Sequence, residues 1–375
     1  MKKIQRLMSL DVFRGLTIAL MIIVNSPGTL MPYSLLEHAT WNGCTLADLV
    51  FPFFIVIVGI SSVLVLSTLK ENGVSFSRLF EKILRRSIYI FIMGLILNVF
   101  PHHFDLSSLR ILGVLQRIAI CYFISSVLFL TTRIQTQAII GMFILVGYAC
   151  LLTFLTQLGY GSDSLSLEGN LVGYFDRLVF SPRHLYTPLF DPEGLLSTLP
   201  AIASTLLGNM IGVLLLSSRT KALTFQWMIW GGVILSGLGW IWSYFLPMNK
   251  ALWSSSYVLW TGGLSLLTYA VLYVCIEIKQ WIRWFKPFEL FGRHAMLVYM
   301  LHVLFLKIQA MIHIQNIDGT VVNFRLYITN VLFGHFSPQN ASLFYSIGYT
   351  MIWMFVLIGV TIKQQRRRGL EQRMI

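Results

Sequence analysis

The stretch from residue 37 to 52 carries the clearest set of side chains that could do chemistry. It holds an imidazole, His38, and a carboxyl group, Asp48, with several hydrogen-bonding side chains between them. Because imidazole ionises near neutral pH, it can take up and return a proton during a reaction. An apolar run begins at Leu46, so the stretch indicates a polar site at a membrane surface.

The elements that must position this site are membrane helices. Of the 375 residues, 56% are hydrophobic and 11% are charged, and the mean hydropathy is +0.73. A soluble domain carries about 25% charged residues. The apolar runs are about 20 residues long, the length of a membrane-spanning helix, whereas barrel strands would be about half as long. The sequence predicts an all-α, polytopic membrane bundle.

The hydropathy pattern predicts about ten spans and one further, shorter helix. The shorter segment, near residues 322–336, is too short to span comfortably and is predicted to be interfacial or re-entrant. We expect one domain over residues 1–375, with a periplasmic loop at 158–194 and a basic cytoplasmic tail at 364–375. The predicted spans lie near residues 10–26, 46–69, 83–100, 109–131, 134–157, 195–216, 223–246, 256–277, 288–312 and 341–362.

The net charge of +13 follows the predicted topology and does not indicate nucleic-acid binding. With a cytoplasmic N-terminus, 19 of the 28 basic residues fall in the inside segments. Basic residues concentrate on the cytoplasmic side of membrane proteins, so both termini are predicted to be cytoplasmic. The residues near His38 then face the other side. The predicted outside loops contain only four basic residues, Arg177, Arg183, Lys250 and Arg325.

Two other features have structural as well as functional interpretations. Thr45 and Asp48 fit a capping box at the start of the second span, and Asp48 could also orient His38. Arg117 lies deep in the fourth predicted span, where a charge is costly unless it is paired, so it could contact a ligand or an internal acid. The four cysteines, and the pair at His102 and His103, lack ligand spacing, so no metal site is expected.

Several blocks of the chain resemble the heparan-α-glucosaminide N-acetyltransferase family, whose bacterial members are often called NagX-like. The similarity follows nearly the whole chain in order, and the block around His38 is the longest. The blocks are Leu10-Asp11-Val12-Phe13-Arg14-Gly15, Val24-Asn25, His38-Ala39-Thr40-Trp41-Asn42-Gly43 with Leu46-Ala47-Asp48-Leu49-Val50-Phe51-Pro52, Phe190-Asp191-Pro192-Glu193-Gly194-Leu195-Leu196, and Pro247-Met248-Asn249-Lys250-Ala251-Leu252-Trp253-Ser254.

The resemblance implies a transmembrane N-acetyltransferase of the bacterial inner membrane. Such an enzyme takes acetyl groups from cytoplasmic acetyl-CoA and passes them to the amine of a glucosamine-type sugar on the far side. The family's histidine and asparagine map onto His38 and Asn25, and Asp48 is expected to assist them. An imidazole could act as the general base or carry the acetyl group itself. We expect no metal cofactor.

The remaining site assignments follow from what the two substrates need. The phosphates of CoA require cations. The acceptor sugar needs polar and aromatic partners. The amides of Asn25 and Asn42, or backbone N–H groups at the helix start near Thr45, could stabilise an oxyanion. For the phosphates we expect Arg14, Arg85, Arg86, Arg117 and Arg293. For the acceptor we expect Trp41, Asn42, Asp191, Glu193, Lys250 and Trp253.

Two other functions are compatible with the sequence. A sugar or metabolite permease would also contain buried charges in kinked helices, although no two-fold repeat is evident. An acyltransferase acting on surface polysaccharide would use the same kind of site. The predicted partners are the lipid bilayer and an amino-sugar acceptor, not nucleic acid, and a homodimer is left open.

Overall fold

The computed structural model describes residues 6–100, 105–157, 165–217, 219–315 and 320–371. Helices dominate these ranges, and the only strands among them are β1 (His313–Gln315) and β2 (Val321–Asn323). The α-helices are α1 (Met8–Asn25), α2 (Leu46–Glu71), α3 (Phe76–Val99), α4 (Val114–Thr131), α5 (Ile134–Gln157), α6 (Leu171–Phe180), α7 (Thr198–Leu216), α8 (Lys221–Trp242), α9 (Ser255–Tyr273), α10 (Ile282–Arg293), α11 (Ala295–Met311), α12 (Phe324–Phe333) and α13 (Pro338–Glu371).

The all-α membrane class predicted from the sequence is confirmed. Among the described residues, eight helices are long and apolar enough to cross a membrane, or nine if the bent pair α10 and α11 counts as one span. Ten spans were predicted. The difference lies at α3, which is 24 residues long but carries charged side chains along its first half. Its charged residues are Arg78, Glu81, Lys82, Arg85 and Arg86.

The described residues divide into two compact units, whereas one domain was predicted. The first unit contains Ala39–Cys44 and Phe51–Val274. Its core lies where α2, α4, α5, α7 and α9 pack, around side chains such as Ile55, Leu206 and Tyr257. Helices α2 and α7 approach so closely that a Cβ on Gly208 would overlap the Val56 carbonyl. The short helix α6 lies in the predicted loop at 158–194, of which residues 158–164 are outside the described ranges.

The second unit joins distant parts of the chain, Met8–His38, Thr45–Val50 and Cys275–Ile375. Here α1 packs against α10, α11 and α13. The α1 and α10 backbones touch through two glycines, because a Cβ on Gly15 would overlap the Phe288 carbonyl and one on Gly292 would overlap that of Asp11. Helix α12 has ten residues and is too short to span, as predicted for the segment near 322–336.

The short β-hairpin precedes α12 and joins it to α11. Its strands are antiparallel, and Ile314 pairs with Val322. Asn323 ends the hairpin and caps α12, since its side chain accepts a hydrogen bond from the Leu326 amide. The basic tail predicted at 364–375 begins within α13, and residues 372–375 lie outside the described ranges.

Candidate active site

His38 is held by a carboxylate at the start of α2. Its Nδ1 lies 2.8 Å from Oδ1 of Asp48. The Asp48 side chain is 1% exposed, whereas that of His38 is 47% exposed. Because an ionised carboxylate can only accept hydrogen bonds, Nδ1 must carry the proton, and the basic lone pair is then on Nε2. This is the tautomer that a general base needs, and the hydrogen bond with Asp48 fixes the orientation of the ring.

The same carboxylate closes the capping box predicted at the start of α2. Oδ2 of Asp48 accepts hydrogen bonds from the Thr45 amide and the Thr45 hydroxyl, each at 3.1 Å. The Thr45 hydroxyl also lies 2.6 Å from the Glu37 carbonyl, next to His38. Both interpretations of Asp48 therefore hold, since one oxygen caps the helix and the other orients the imidazole.

The loop that carries His38 is tied at its start to α13. Four hydrogen bonds join residues 26–33 to the first turns of that helix. They are Ser346 Oγ to Ser26 O, Gly28 N to Ser342 Oγ, Thr29 Oγ1 to Pro338 O and Tyr33 Oη to Asn340 Oδ1. Asn25 is the last residue of α1 and is exposed, directly before this tied segment. The loop is thus fixed at its start by α13 and at its end by the α2 cap.

In the first unit, residues 39–44 are joined to the loop between α8 and α9. The Gly43 amide donates to the Met248 carbonyl at 2.7 Å, and Asn249 Nδ2 donates to Asn42 Oδ1 at 3.2 Å. Gly43 has a φ of 123°, which favours glycine. Asn249 lies in the block from Pro247 to Ser254, but the sequence predicts no role for it. It is buried and shapes its loop, since its side chain also accepts from the Leu252 amide.

The aromatic residues assigned to the acceptor occupy two different environments. Trp41 is half-buried, packs edge-on against Phe190 and donates from Nε1 to the Leu165 carbonyl. Trp253 is fully buried and donates from Nε1 to Ser204 Oγ. Its φ of 51° is unusual for a residue with a side chain, so the backbone is strained to place this ring in the core. Lys250 is half-buried in the same loop.

Asp191 and Glu193 form an ion cluster with Arg110. The guanidinium of Arg110 bonds Asp191 through Nε at 2.8 Å and Nη2 at 2.6 Å, and Nη2 also reaches Glu193. Asp191 is fully buried and accepts two more hydrogen bonds from the amides of Tyr186 and Glu193. Burial alone would lower the pKa of Arg110, but the two acids offset this effect and raise it above its usual range.

Arg117 lies fully buried in α4. Its Nη2 donates to the Gly194 carbonyl at 3.1 Å and to the Ser197 hydroxyl, and its guanidinium lies 5.0 Å from the Trp253 ring. Among the described residues, Nε and Nη1 of Arg117 have no hydrogen-bond partner. Arg117 thus holds the turn after Glu193.

Asp176, in α6, holds the same turn from another side. Its Oδ1 accepts a hydrogen bond from the Leu195 amide at 2.8 Å, and a Cβ on Gly194 would overlap its Oδ2. Burial raises the pKa of Asp176 to about 6. The sequence offered no direct signal for this residue, because it lies in a loop region distant from Gly194 in the chain.

This raised pKa predicts a pH dependence of stability. The folded state holds the Asp176 proton up to about pH 6, whereas the unfolded chain releases it near pH 4. The folded state therefore binds more protons between these values, and the free energy of unfolding should fall as the pH rises from 4 to 6. The loss should be on the order of 2 kcal/mol.

Asp176→Asn should remove this decline, because an amide does not ionise. The measurement is denaturant unfolding in detergent at several pH values between 4 and 7. Asp105→Asn is the control, since Asp105 is exposed and its hydrogen bonds with Ser107 hold its pKa below the ordinary value. A decline of the same size in both variants would show that another group causes it.

The other arginines expected to bind phosphate lie at or near the surface. Arg14 is half-buried and bonds Asp11 at 3.2 Å and the Gly292 carbonyl at 3.3 Å. Arg293 is exposed and pairs with Glu289. In the first unit, Arg85 and Arg86 are exposed on α3, and Arg86 lies 4.9 Å from the centre of the Tyr122 ring.

No metal-ligand cluster is present in the part of the chain that the structure describes. His102 and His103, which were considered for this role, lie outside the described residues. The reactive features that remain are the His38–Asp48 pair and the surface cations. Such a set can transfer protons and bind anions.

The fold and these residues define a polytopic, all-α membrane protein. In its candidate site, a carboxylate at the start of a helix orients a histidine of the preceding loop. The chain belongs to the heparan-alpha-glucosaminide N-acetyltransferase family, because the model of that family's catalytic region matches residues 6–237. The human heparan-alpha-glucosaminide N-acetyltransferase is 32% identical over 357 residues, covering 80% of this chain and 53% of the relative. The mouse protein of the same name is 31% identical over 353 residues, covering 79% and 53%. The chain spans about half the length of these curated relatives.

Proposed function

We propose that this protein is a transmembrane N-acetyltransferase that moves an acetyl group from cytoplasmic acetyl-CoA to the amine of a glucosamine-type sugar on the extracytoplasmic side. The observation that carries the proposal is the 2.8 Å contact between His38 and Asp48, which leaves the basic nitrogen of an exposed imidazole facing outward from its carboxylate. The two named relatives are N-acetyltransferases by their descriptions, which supports this class of reaction.

The chemistry requires one bond to form and one to break. In the direct route the sugar amine attacks the thioester carbonyl carbon, the new C–N bond forms and the C–S bond breaks. Nε2 of His38 takes the proton that the amine loses and then returns it to the leaving thiolate. In the alternative route Nε2 attacks the thioester carbonyl carbon, the C–S bond breaks and CoA leaves as its thiolate. The amine then forms the C–N bond as the bond to Nε2 breaks, and the proton that the amine loses goes to the thiolate. Asp48 stabilises the charged imidazole in both routes.

Amide groups near His38 in the chain are our proposed oxyanion donors. Asn25 is exposed at the end of α1 and can donate from its side-chain Nδ2. Removing one such donor typically costs about 10²–10³ in kcat. Asn42 is also exposed, but its Oδ1 already accepts from Asn249, which leaves its Nδ2 to donate.

Each unit has exposed or partly exposed arginines, which we propose as separate candidates for binding the phosphates of the donor. Arg85 and Arg86 are exposed on α3. Arg14 and Arg293 are at least partly exposed, so the guanidinium of each of the four is accessible to a phosphate. Arg117 is a weaker choice because its guanidinium is enclosed and bonded to the Gly194 turn. We therefore propose that Arg117 supports the donor site only through the position of that turn.

The acceptor site that we propose depends on exposed or half-buried groups. Trp41 and Lys250 are half-buried and can contact a sugar at its apolar face and its hydroxyls. Asp191, Glu193 and Trp253 are enclosed, so we propose that they fix the loops that carry the contacting groups.

Acetyl transfer by the purified protein in detergent tests the proposal. Acetyl-CoA and glucosamine should yield N-acetylglucosamine and free CoA in equal amounts, each detected by mass spectrometry. A permease would yield neither, because detergent removes the compartments that transport needs. Longer acyl-CoA donors and polysaccharide acceptors in the same assay distinguish the surface-polysaccharide alternative. Absence of CoA release with every donor and acceptor would contradict the proposal.

A further inference from the structure

Helix α10 is bent sharply away from the helix that follows it. Its axis is bent by 72° from that of α11, which follows after a single residue, His294. Helix α11 is 17 residues long and mostly apolar, and it is the member of the pair with the length to cross hydrocarbon. If α11 runs near the membrane normal, α10 lies close to the membrane plane, at the depth of the lipid headgroups.

One face of α10 is committed to the protein. Phe291 and Gly292 are buried, and Phe288 meets α1 at Gly15. The charged end of the helix is also satisfied, since Arg293 pairs with Glu289. Phe288, Phe291 and Gly292 are therefore fixed against their own unit, whereas Arg293 stays exposed at the end of the helix.

The start of α10 and the three residues before it expose two indoles and three cations. Trp281 is 56% exposed and Trp284 is 83% exposed. The cations Lys279, Arg283 and Lys286 follow each other at intervals of four and three residues and are all exposed. Indoles concentrate at the membrane–water interface, and lysine or arginine beside them meets lipid phosphates.

No acid neutralises these cations within the described structure. No carboxylate of the described residues lies within 4.0 Å of Lys279, Arg283 or Lys286. The neighbouring acids are engaged elsewhere, because Glu277 accepts a hydrogen bond from the Ser9 amide and Glu289 pairs with Arg293. The charged side chains between residues 279 and 286 are therefore all positive, which makes the segment complementary to an anionic surface.

We propose that this exposed segment at the start of α10, residues 279–286, binds the headgroups of anionic phospholipids, with Trp281 and Trp284 inserted beside them. The inference does not depend on the acetyltransferase proposal. Each basic side chain near an anionic surface contributes about fivefold to binding at moderate ionic strength. Three of them should therefore give a clear preference for phosphatidylglycerol over phosphatidylcholine around α10.

Quenching of tryptophan fluorescence by brominated lipids tests this site. The full-length protein is placed in nanodiscs that contain either brominated phosphatidylglycerol or brominated phosphatidylcholine over the same series of mole fractions. The difference between the wild type and Trp281→Phe/Trp284→Phe isolates the signal from α10. Trp284→Phe alone serves if the double variant does not fold. We expect quenching of this signal to require about tenfold less brominated phosphatidylglycerol than brominated phosphatidylcholine.

A matched pair of charge variants then assigns the preference to α10. Lys279→Gln/Arg283→Gln should remove most of it, whereas Arg78→Gln/Lys82→Gln should retain it. The second pair neutralises one lysine and one arginine, also four residues apart and exposed, on α3. Equal quenching by the two lipids in the wild type would overturn the proposal. It would also be overturned if acetyl-CoA or pyrophosphate in solution abolished the preference, because the segment would then bind a soluble phosphate ligand.

Discussion

His38→Ala should lower the turnover of acetyl transfer by about 10² or more while the protein remains folded, which is the scale expected for loss of a general base. The imidazole is half exposed and bonds to Asp48 across the α2 cap, so its removal leaves the Thr45 contacts with that carboxylate in place. Size-exclusion chromatography and acetyl-CoA binding check the fold. His335→Ala is the control, since His335 is exposed in the turn between α12 and α13.

The mass of the wild type after mixing with acetyl-CoA separates the two routes. If the imidazole carries the acetyl group, the wild type mixed with acetyl-CoA alone should gain the mass of one acetyl group, and a peptide containing His38 should hold it. If the imidazole is only a base, no such adduct forms and turnover still falls. Asp48→Asn should reduce turnover less than His38→Ala, because the amide can still accept a hydrogen bond from Nδ1. Near-normal turnover in His38→Ala would refute both routes.

Arg110→Met should destabilise the protein by about 3 kcal/mol, because it leaves the enclosed carboxylates of Asp191 and Glu193 without their cation. Unfolding in mixed detergent micelles, followed by far-ultraviolet circular dichroism, measures this change. Arg183→Met is the control, since Arg183 is exposed in the same region.

A triple variant tests whether unpaired carboxylates cause the loss of stability. Adding Asp191→Asn and Glu193→Gln to Arg110→Met removes the two unpaired charges, so part of the lost stability should return. If the triple variant were less stable than Arg110→Met alone by the sum of the separate effects, charge pairing would not explain the destabilisation.

Local patterns allowed the sequence to predict the helices and the cap of α2. Apolar runs as long as a membrane span predict where α1, α2 and α5 lie. Thr45 and Asp48 are only three residues apart, so the sequence shows their capping box directly. Even the short helix α12 follows from its length alone. Such features depend on neighbours within a few positions, which a single sequence displays directly.

Features that depend on distant residues could not be predicted in this way. Arg110 meets Asp191 across 81 positions, and nothing in the spacing of either residue indicates the other. The predicted span at 288–312 is broken at His294, because hydropathy reports composition and not the direction of a helix. The assignment of Trp253 to an acceptor sugar rested on residue type, which does not distinguish an exposed ring from a buried one.

The contact between α1 and α10 bears on how the protein is made. Arg14 and Gly292, which it brings together, are 278 residues apart. At about 5–20 residues per second, a ribosome completes α10 tens of seconds after α1. During that interval Asp11 and Arg14 can already pair with each other, because they lie on adjacent turns of α1. A chain interrupted before α10 would keep the glycine face of α1 uncovered, marking it for the cell's quality-control proteases.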